Sequence, residues 1–209
     1  MDDIKNIVEQ YRRVYTASFC SGQKPKIPIQ LSSEQDTRHR LLAAYSLEVE
    51  KRGREFVLDE HADNTIRRTA RWLFSSSKRG LLLMGTLGNG KSTMLRAIRD
   101  VFHPYSTLGD AQDIFDYYKQ GQGLKYWNEA ILLIDDLGVE PVRCLNFGEY
   151  HPMSRLLLHR YDRLLTTIIA TNLGVDDIQE RYGDRVVDRM FETFEVIKYD
   201  RASYRREQQ

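Results

Sequence analysis

Eight consecutive residues, Gly85-Thr86-Leu87-Gly88-Asn89-Gly90-Lys91-Ser92, have the types and spacing needed to hold a chain of phosphates. They read G-x-x-x-x-G-K-S. Glycines at these positions let successive backbone N–H groups turn inward around an anion. A helix beginning at the lysine adds the partial positive charge of its N-terminus at the same spot. Lys91 is placed to reach the β- and γ-phosphates of a nucleotide, and the Ser92 hydroxyl to ligate Mg²⁺. The expected cofactors are therefore ATP and Mg²⁺.

A second motif, Ile131-Leu132-Leu133-Ile134-Asp135-Asp136, is an apolar run ending in two carboxylates. In a parallel sheet, ligands lie at the carboxyl ends of the strands. Asp135 is then expected beside Ser92, holding Mg²⁺ directly or through water. Asp136 is the candidate to position and deprotonate an attacking water. Many P-loop ATPases carry glutamate there, and aspartate is one methylene shorter, which predicts slow hydrolysis or hydrolysis that needs a helping partner. The competing reading is that the two aspartates only cap a turn. A third apolar run ends polar, Thr167-Ile168-Ile169-Ala170-Thr171-Asn172, and Thr171 or Asn172 could hydrogen-bond the γ-phosphate or the water. Further on, Arg185 and Arg189 stand four residues apart on one helical face. They either supply transition-state charge to a neighbouring subunit's site or bridge Asp184 and Asp188.

These groups need an α/β framework. Short apolar runs at 80–84, 131–134, 167–170 and, more weakly, 194–197 read as strands buried on both faces. Between them lie helical stripes: Met94/Leu95/Ile98/Val101/Phe102, Ala111/Ile114/Phe115/Tyr118, and Leu157/Tyr161/Leu164 with Pro152 near its first turn. The alternation predicts a three-layer α/β domain. Upstream, Ile4, Ile7, Val8, Tyr11, Val14 and Tyr15 form a helical stripe, followed by a linker-like Ser21–Pro28 segment. A second helix presents Leu41, Ala44, Tyr45 and Val49. Phe56-Val57-Leu58 reads as a short extended piece and a candidate wall for the adenine. Asn64 is a candidate cap for a helix through Ile66, Ala70 and Leu73.

Composition narrows the class. The chain has 209 residues, 41% hydrophobic and 29% charged, enough to bury a core without staples. No apolar run approaches the roughly 18 residues of a membrane span, and the N-terminus shows no secretory signal. Cys20 and Cys144 are expected as free thiols of a cytoplasmic protein. Thirty-one Lys and Arg against 30 Asp and Glu leave a net charge of +1, so binding to DNA requires a local patch or several copies side by side.

Together the words "LLLMGTLGNGKST", "ILLIDDLG", "IIATNL" and "YGDRVVDRM", with a closing "SYR", resemble an AAA+ ATPase, and more narrowly the DnaC/IstB-like group of helicase loaders and transposition helpers. The resemblance spans about residues 56–209. It implies an AAA+ domain over 56–209 after a helical extension over 1–55. Its fold is a five-stranded parallel sheet with the P-loop strand central and no helical lid at the C-terminal end. It makes residues Gly85 through Ser92, with Thr93, the nucleotide loop and Asp135 and Asp136 the acidic pair. Asn172 becomes a phosphate sensor, Arg189 an arginine finger helped by Arg185, and Arg205 a second sensor. The implied partners are further copies of the chain in head-to-tail assembly, a DnaB-type replicative helicase or a transposase, and single-stranded or duplex DNA, with no membrane.

The resemblance leaves several readings open. The first is a helicase loader; the second presents target DNA to a transposase; a third is a small-molecule P-loop kinase, for which 135–172 offers no obvious substrate lid. A fourth is a nucleotide switch that barely hydrolyses ATP. The stripe beginning at Ile4 is either core packing or a partner-docking face. The run Asp116–Trp127, with aromatics interleaved with lysines, is a candidate for stacking on single-stranded bases or for simple packing.

Overall fold

The computed structural model describes residues 31–103, 105–122, 126–142 and 151–200, together with four isolated positions, 6, 9, 10 and 13. The stripe beginning at Ile4, the linker at Ser21–Pro28, Cys20, Cys144 and Arg205 lie outside the described residues. The chain forms two compact units. One takes the described residues up to Ser77 together with Thr93–Tyr105; the other takes Lys78–Ser92 and the described residues from Ser106 onward. The division at residue 55 expected from the motifs is one of motif content; the compact units divide elsewhere.

The first unit contains α1 (Glu34–Glu50), α2 (Glu60–Ser75) and the body of α3 (Lys91–Phe102). The Ser33 hydroxyl accepts from the Asp36 N–H at 3.0 Å and caps α1. The cap of α2 is Asp59, whose carboxylate accepts from Ala62 N–H at 2.8 Å. Asn64 therefore lies inside the helix, one turn past its start, and does not cap it. Phe56-Val57-Leu58 forms no strand; Val57 and Leu58 are exposed, and Phe56 meets Tyr45 edge-on at 5.8 Å. In α1 burial runs from Leu41 through Ser46 without a break rather than along one stripe. Arg38 crosses to Asp63 at 2.5 Å, tying α1 to α2, and Arg67 also bonds that carboxylate. Glu48 and Asp100 are both buried, and Lys51 Nζ stands 2.6 Å from Glu48 Oε1 and 3.9 Å from Asp100 Oδ2.

The second unit is built on a parallel sheet of β1 (Gly80–Gly85), β2 (Ser106–Asp110), β3 (Ile131–Leu137), β4 (Thr166–Thr171) and β5 (Phe194–Tyr199), in the order β2-β3-β4-β1-β5. The P-loop strand β1 is interior, flanked by β4 and β5, but the middle strand is β4. Leu82, Met84, Leu132, Ile134 and Ile169 form one core with residues of α4 (Ala111–Lys119), α5 (Pro152–Asp162), α6 (Val175–Tyr182) and α7 (Asp184–Thr193). The alternate residues Leu81, Leu83, Leu133, Ile168, Ala170 and Ile197 are equally buried. Strands buried on both faces are what the three-layer α/β arrangement requires. Only β2 escapes the apolar-run criterion: Ser-Thr-Leu-Gly-Asp is a half-buried edge strand with one large apolar residue.

One buried arginine staples this unit. Arg160 is 1% exposed. Its guanidinium donates to the carbonyls of Tyr126, Trp127, Glu129 and Thr166 and to the Thr167 hydroxyl, at 2.7–3.2 Å. Burial pulls its pKa down to about 10, which leaves it charged at neutral pH with its donors satisfied.

Candidate nucleotide site

The phosphate loop begins where β1 ends, and its backbone explains its glycines. Gly85, Gly88 and Gly90 have φ of 152°, 82° and 98°. A Cβ at Gly85 would stand 2.4 Å from the Tyr199 carbonyl oxygen on β5, so no other residue fits there. Lys91 is 5% exposed, and its ammonium donates to the carbonyls of Gly85 and Thr86, both at 2.7 Å, and to Asn89 Oδ1 at 3.1 Å. A cation ringed by oxygens at the mouth of a helix is equipped to donate to phosphate oxygens instead. Thr86 and Leu87 are exposed at the tip, while Gly88, Gly90, Ser92 and Thr93 are half-buried. Asn89 differs from the rest of the loop: it is buried, and its Nδ2 donates to the Tyr199 carbonyl at 2.8 Å, fastening the loop to β5.

Two positions 43 residues apart in sequence meet here. The Ser92 hydroxyl donates to Asp135 Oδ1 at 2.8 Å. Mg²⁺ keeps several waters and asks for only one or two protein oxygens besides those of a substrate phosphate. A hydroxyl beside a carboxylate at a helix N-terminus is a fitting donor set, and among the described residues no larger cluster of metal-ligating side chains occurs. Asp136 follows in a conformation the sequence does not announce. Its φ is +50°, and the pairing of β3 with β4 shifts between Ile134 and Leu137, so that β3 carries one extra residue at the two aspartates. Such bulges re-aim a side chain next to a site, and a non-glycine residue in this region costs on the order of 1–3 kcal/mol. The Asp136 N–H is held by Asp135 Oδ1 at 3.1 Å, and its carbonyl by the Val139 N–H at 3.2 Å.

The neighbouring strand end divides its two polar residues. Thr171 is fully buried; its hydroxyl donates to the Leu137 carbonyl at 2.6 Å and accepts from the Leu173 N–H at 3.1 Å. It is committed to bracing β4 against β3, which leaves the exposed Asn172 as the side chain available to a ligand. The arginines lie apart from this cluster: neither Arg185 nor Arg189 bonds to the phosphate loop or to the two aspartates. Arg185 is exposed. Arg189 bridges not Asp184 or Asp188 but Glu192 at 3.0 Å and the Tyr161 hydroxyl at 3.1 Å, with its guanidinium 4.8 Å from the Tyr161 ring centre. The hydrogen bond to Glu192 strengthens the hold of Arg189 on its proton, and hydrogen bonds from the Tyr161 hydroxyl and then Arg189 lower the pKa of Glu192.

Sequence reasoning missed the buried side chains around the acidic turn. Glu140 is 1% exposed, and its carboxylate accepts from the Tyr182 hydroxyl at 2.5 Å and from the Gly138 N–H at 2.9 Å. Burial and the adjacent Glu140 charge push the Tyr182 phenol well above the usual tyrosine range. The expected base-stacking segment is also rearranged. Tyr126 belongs to the core with Tyr117 edge-on to it, Tyr118 stacks on Trp127, and Trp127 faces His159 at 4.5 Å. Since α4 runs back from the carboxyl end of β2, this group lies toward the amino ends of the strands, away from the phosphate loop. Residues 123–125 of that segment lie outside the described residues.

No family model matches the chain, and no curated protein matches it. Solved structures do. The crystal structure of DnaI is similar with a TM-score of 0.53 at 19% identity, over 68% of this chain and 87% of that one. A primosome component from Streptococcus pyogenes serotype M3 gives 0.54 at 19% identity, over 71% and 83%. AMPPCP-bound DnaA from Aquifex aeolicus gives 0.51 at 17% identity, over 69% of this chain but only 48% of that one. These likenesses show a shared fold, a five-stranded parallel sheet with flanking helices of the P-loop NTPase type. Among the described residues, no helix is long and apolar enough to cross a membrane.

Proposed function

We propose that this chain is a Mg²⁺-dependent ATPase that hydrolyses ATP only when assembled head to tail, and that it serves replication initiation by placing a replicative helicase on DNA. The observation that carries the ATPase part is the meeting of Ser92 and Asp135 at 2.8 Å beside a lysine ringed by loop oxygens. Support for the replication part is the likeness of fold to DnaI and to a primosome component.

Lys91 and the loop N–H groups hold the phosphates, and Ser92 and Asp135 would hold Mg²⁺. Bound there, the ion would offset negative charge on the phosphates. Asp136, re-aimed by the bulge, orients a water and takes its proton as the oxygen bonds to the γ-phosphorus. The bond from that phosphorus to the ADP oxygen breaks, and the proton passes from Asp136 to solvent. Asn172 steadies the water or the γ-phosphate. Arg189 of the next copy, helped by Arg185, offsets the charge that develops.

The test separates binding from hydrolysis. Lys91→Ala should lose ATP binding and hydrolysis together. Asp136→Asn should bind Mg-ATP like the wild type and hydrolyse it at least about a hundredfold more slowly. Fluorescent-nucleotide binding and phosphate release measure the two. Wild-type hydrolysis by Lys91→Ala would remove the loop from the site.

A further inference from the structure

Resting on that reading, we propose that the buried Glu140–Tyr182 pair is a positioning device that sets the acidic turn of the ATP site against the helix carrying Arg185 and Arg189. Glu140 lies four residues beyond Asp136. One of its carboxylate oxygens accepts from the Gly138 N–H, closing the turn that begins at Asp136, while the Asp136 carbonyl accepts from the Val139 N–H. The other oxygen takes the Tyr182 hydroxyl at 2.5 Å. Arg181 adds a third tie, donating to the Glu140 carbonyl oxygen.

Tyr182 is the last residue of α6 and is 7% exposed. Gly183, with φ of 87°, turns the chain directly into α7, so Arg185 and Arg189 start three and seven residues from the tyrosine. The Ser154 hydroxyl donates to the Tyr182 carbonyl at 3.2 Å and fixes the same corner to α5. The turn also touches the neighbouring strand end: Gly138 has φ of 111°, and a Cβ there would stand 2.6 Å from the Leu173 side chain, next to Asn172. One buried carboxylate therefore links the turn of Asp136, the strand end of Asn172 and the corner that launches the arginine helix. A fully buried acid needs partners for both oxygens, and these partners are drawn from the elements that carry the proposed catalytic groups. An apolar residue in the same space would leave the Gly138 N–H and the Tyr182 hydroxyl without this partner.

Two conservative variants test this. Tyr182→Phe removes one hydroxyl, and Glu140→Gln keeps the volume and one acceptor oxygen. Both should bind a fluorescent ATP analogue within twofold of wild type and keep an unchanged KM. Their kcat should fall at least tenfold under assembling conditions, with the larger loss in Glu140→Gln. A kcat within twofold of wild type in folded Tyr182→Phe would overturn the proposal. So would a parallel loss of binding, kcat and melting temperature in both variants, or failure of both to fold, since each makes the pair purely structural. A wild-type protein that hydrolyses no ATP would instead overturn the ATPase reading, and the comparison with Lys91→Ala identifies that case.

Discussion

At the scale of single residues, the loop at 85–92 is legible because its glycines, lysine and hydroxyl stand at a fixed spacing that its backbone requires. Gly85 shows the physical content of that pattern: its place is set by the Tyr199 carbonyl, which leaves no room for a Cβ. The buried polar residues were illegible for the opposite reason. Arg160 stands in an amphipathic helical stretch where an arginine reads as solvent-facing, and only the tertiary fold brings five acceptors to it. Replacing it with methionine keeps much of the volume but takes a donor from four carbonyls and from the Thr167 hydroxyl, which keeps its bond to the Leu165 carbonyl. Arg160→Met should cost about 3–5 kcal/mol of unfolding free energy, with Arg160→Lys in between because it retains the charge and fewer donors. Urea denaturation measures both; a loss under 1 kcal/mol in the methionine variant would show that water replaces the guanidinium.

At the scale of elements, period and apolarity gave β1, β3, β4 and the helices at 111–119 and 152–162 almost in place. The edge strand β2 is not legible, since a half-buried strand whose one large apolar residue is Leu108 carries no apolar run. Likewise Asp59 rather than Asn64 starts α2: both are competent caps, and the choice depends on where the chain leaves its extended segment. The bulge at Asp135-Asp136 has no signature in residue type. Helices α1 and α2 offer a test of electrostatics. Burial alone would raise the pKa of Asp63, but hydrogen bonds from Arg38 and Arg67 outweigh it and hold the carboxyl below its ordinary value. A depressed pKa in the folded state gives stabilisation that is present above the unfolded value and is lost as pH falls through the folded one. Asp63→Asn should therefore cost about 1 kcal/mol at pH 7, and the gap to wild type should close once the pH falls below the lowered pKa of the folded state. Thermal melts at both pH values check this; an equal gap at the two would rule out the charge as its cause.

At the scale of the whole molecule, a net charge of +1 provides no long-range pull toward DNA, and the interleaved aromatics of residues 117–127 pack largely on one another. A grip on nucleic acid then calls for a local patch or for several copies arranged together. The arginines point the same way. Arg185 is exposed, and Arg189 bonds to Tyr161 and Glu192 rather than to its own phosphate loop. A surface that gives its arginine to the next copy's nucleotide makes a ring if the rotation closes and a filament if it does not. The most direct measurement of this central claim is the ATPase rate of Lys91→Ala and Arg189→Ala proteins, alone and mixed, with light scattering for size. Each alone should be inactive, Arg189→Ala by about 10³-fold or more while still binding ATP. The mixture should regain activity, because an intact phosphate loop from one variant then meets an intact arginine from the other. A wild-type rate for Arg189→Ala alone, with no gain on mixing, would show that each chain completes its own site and would contradict the account.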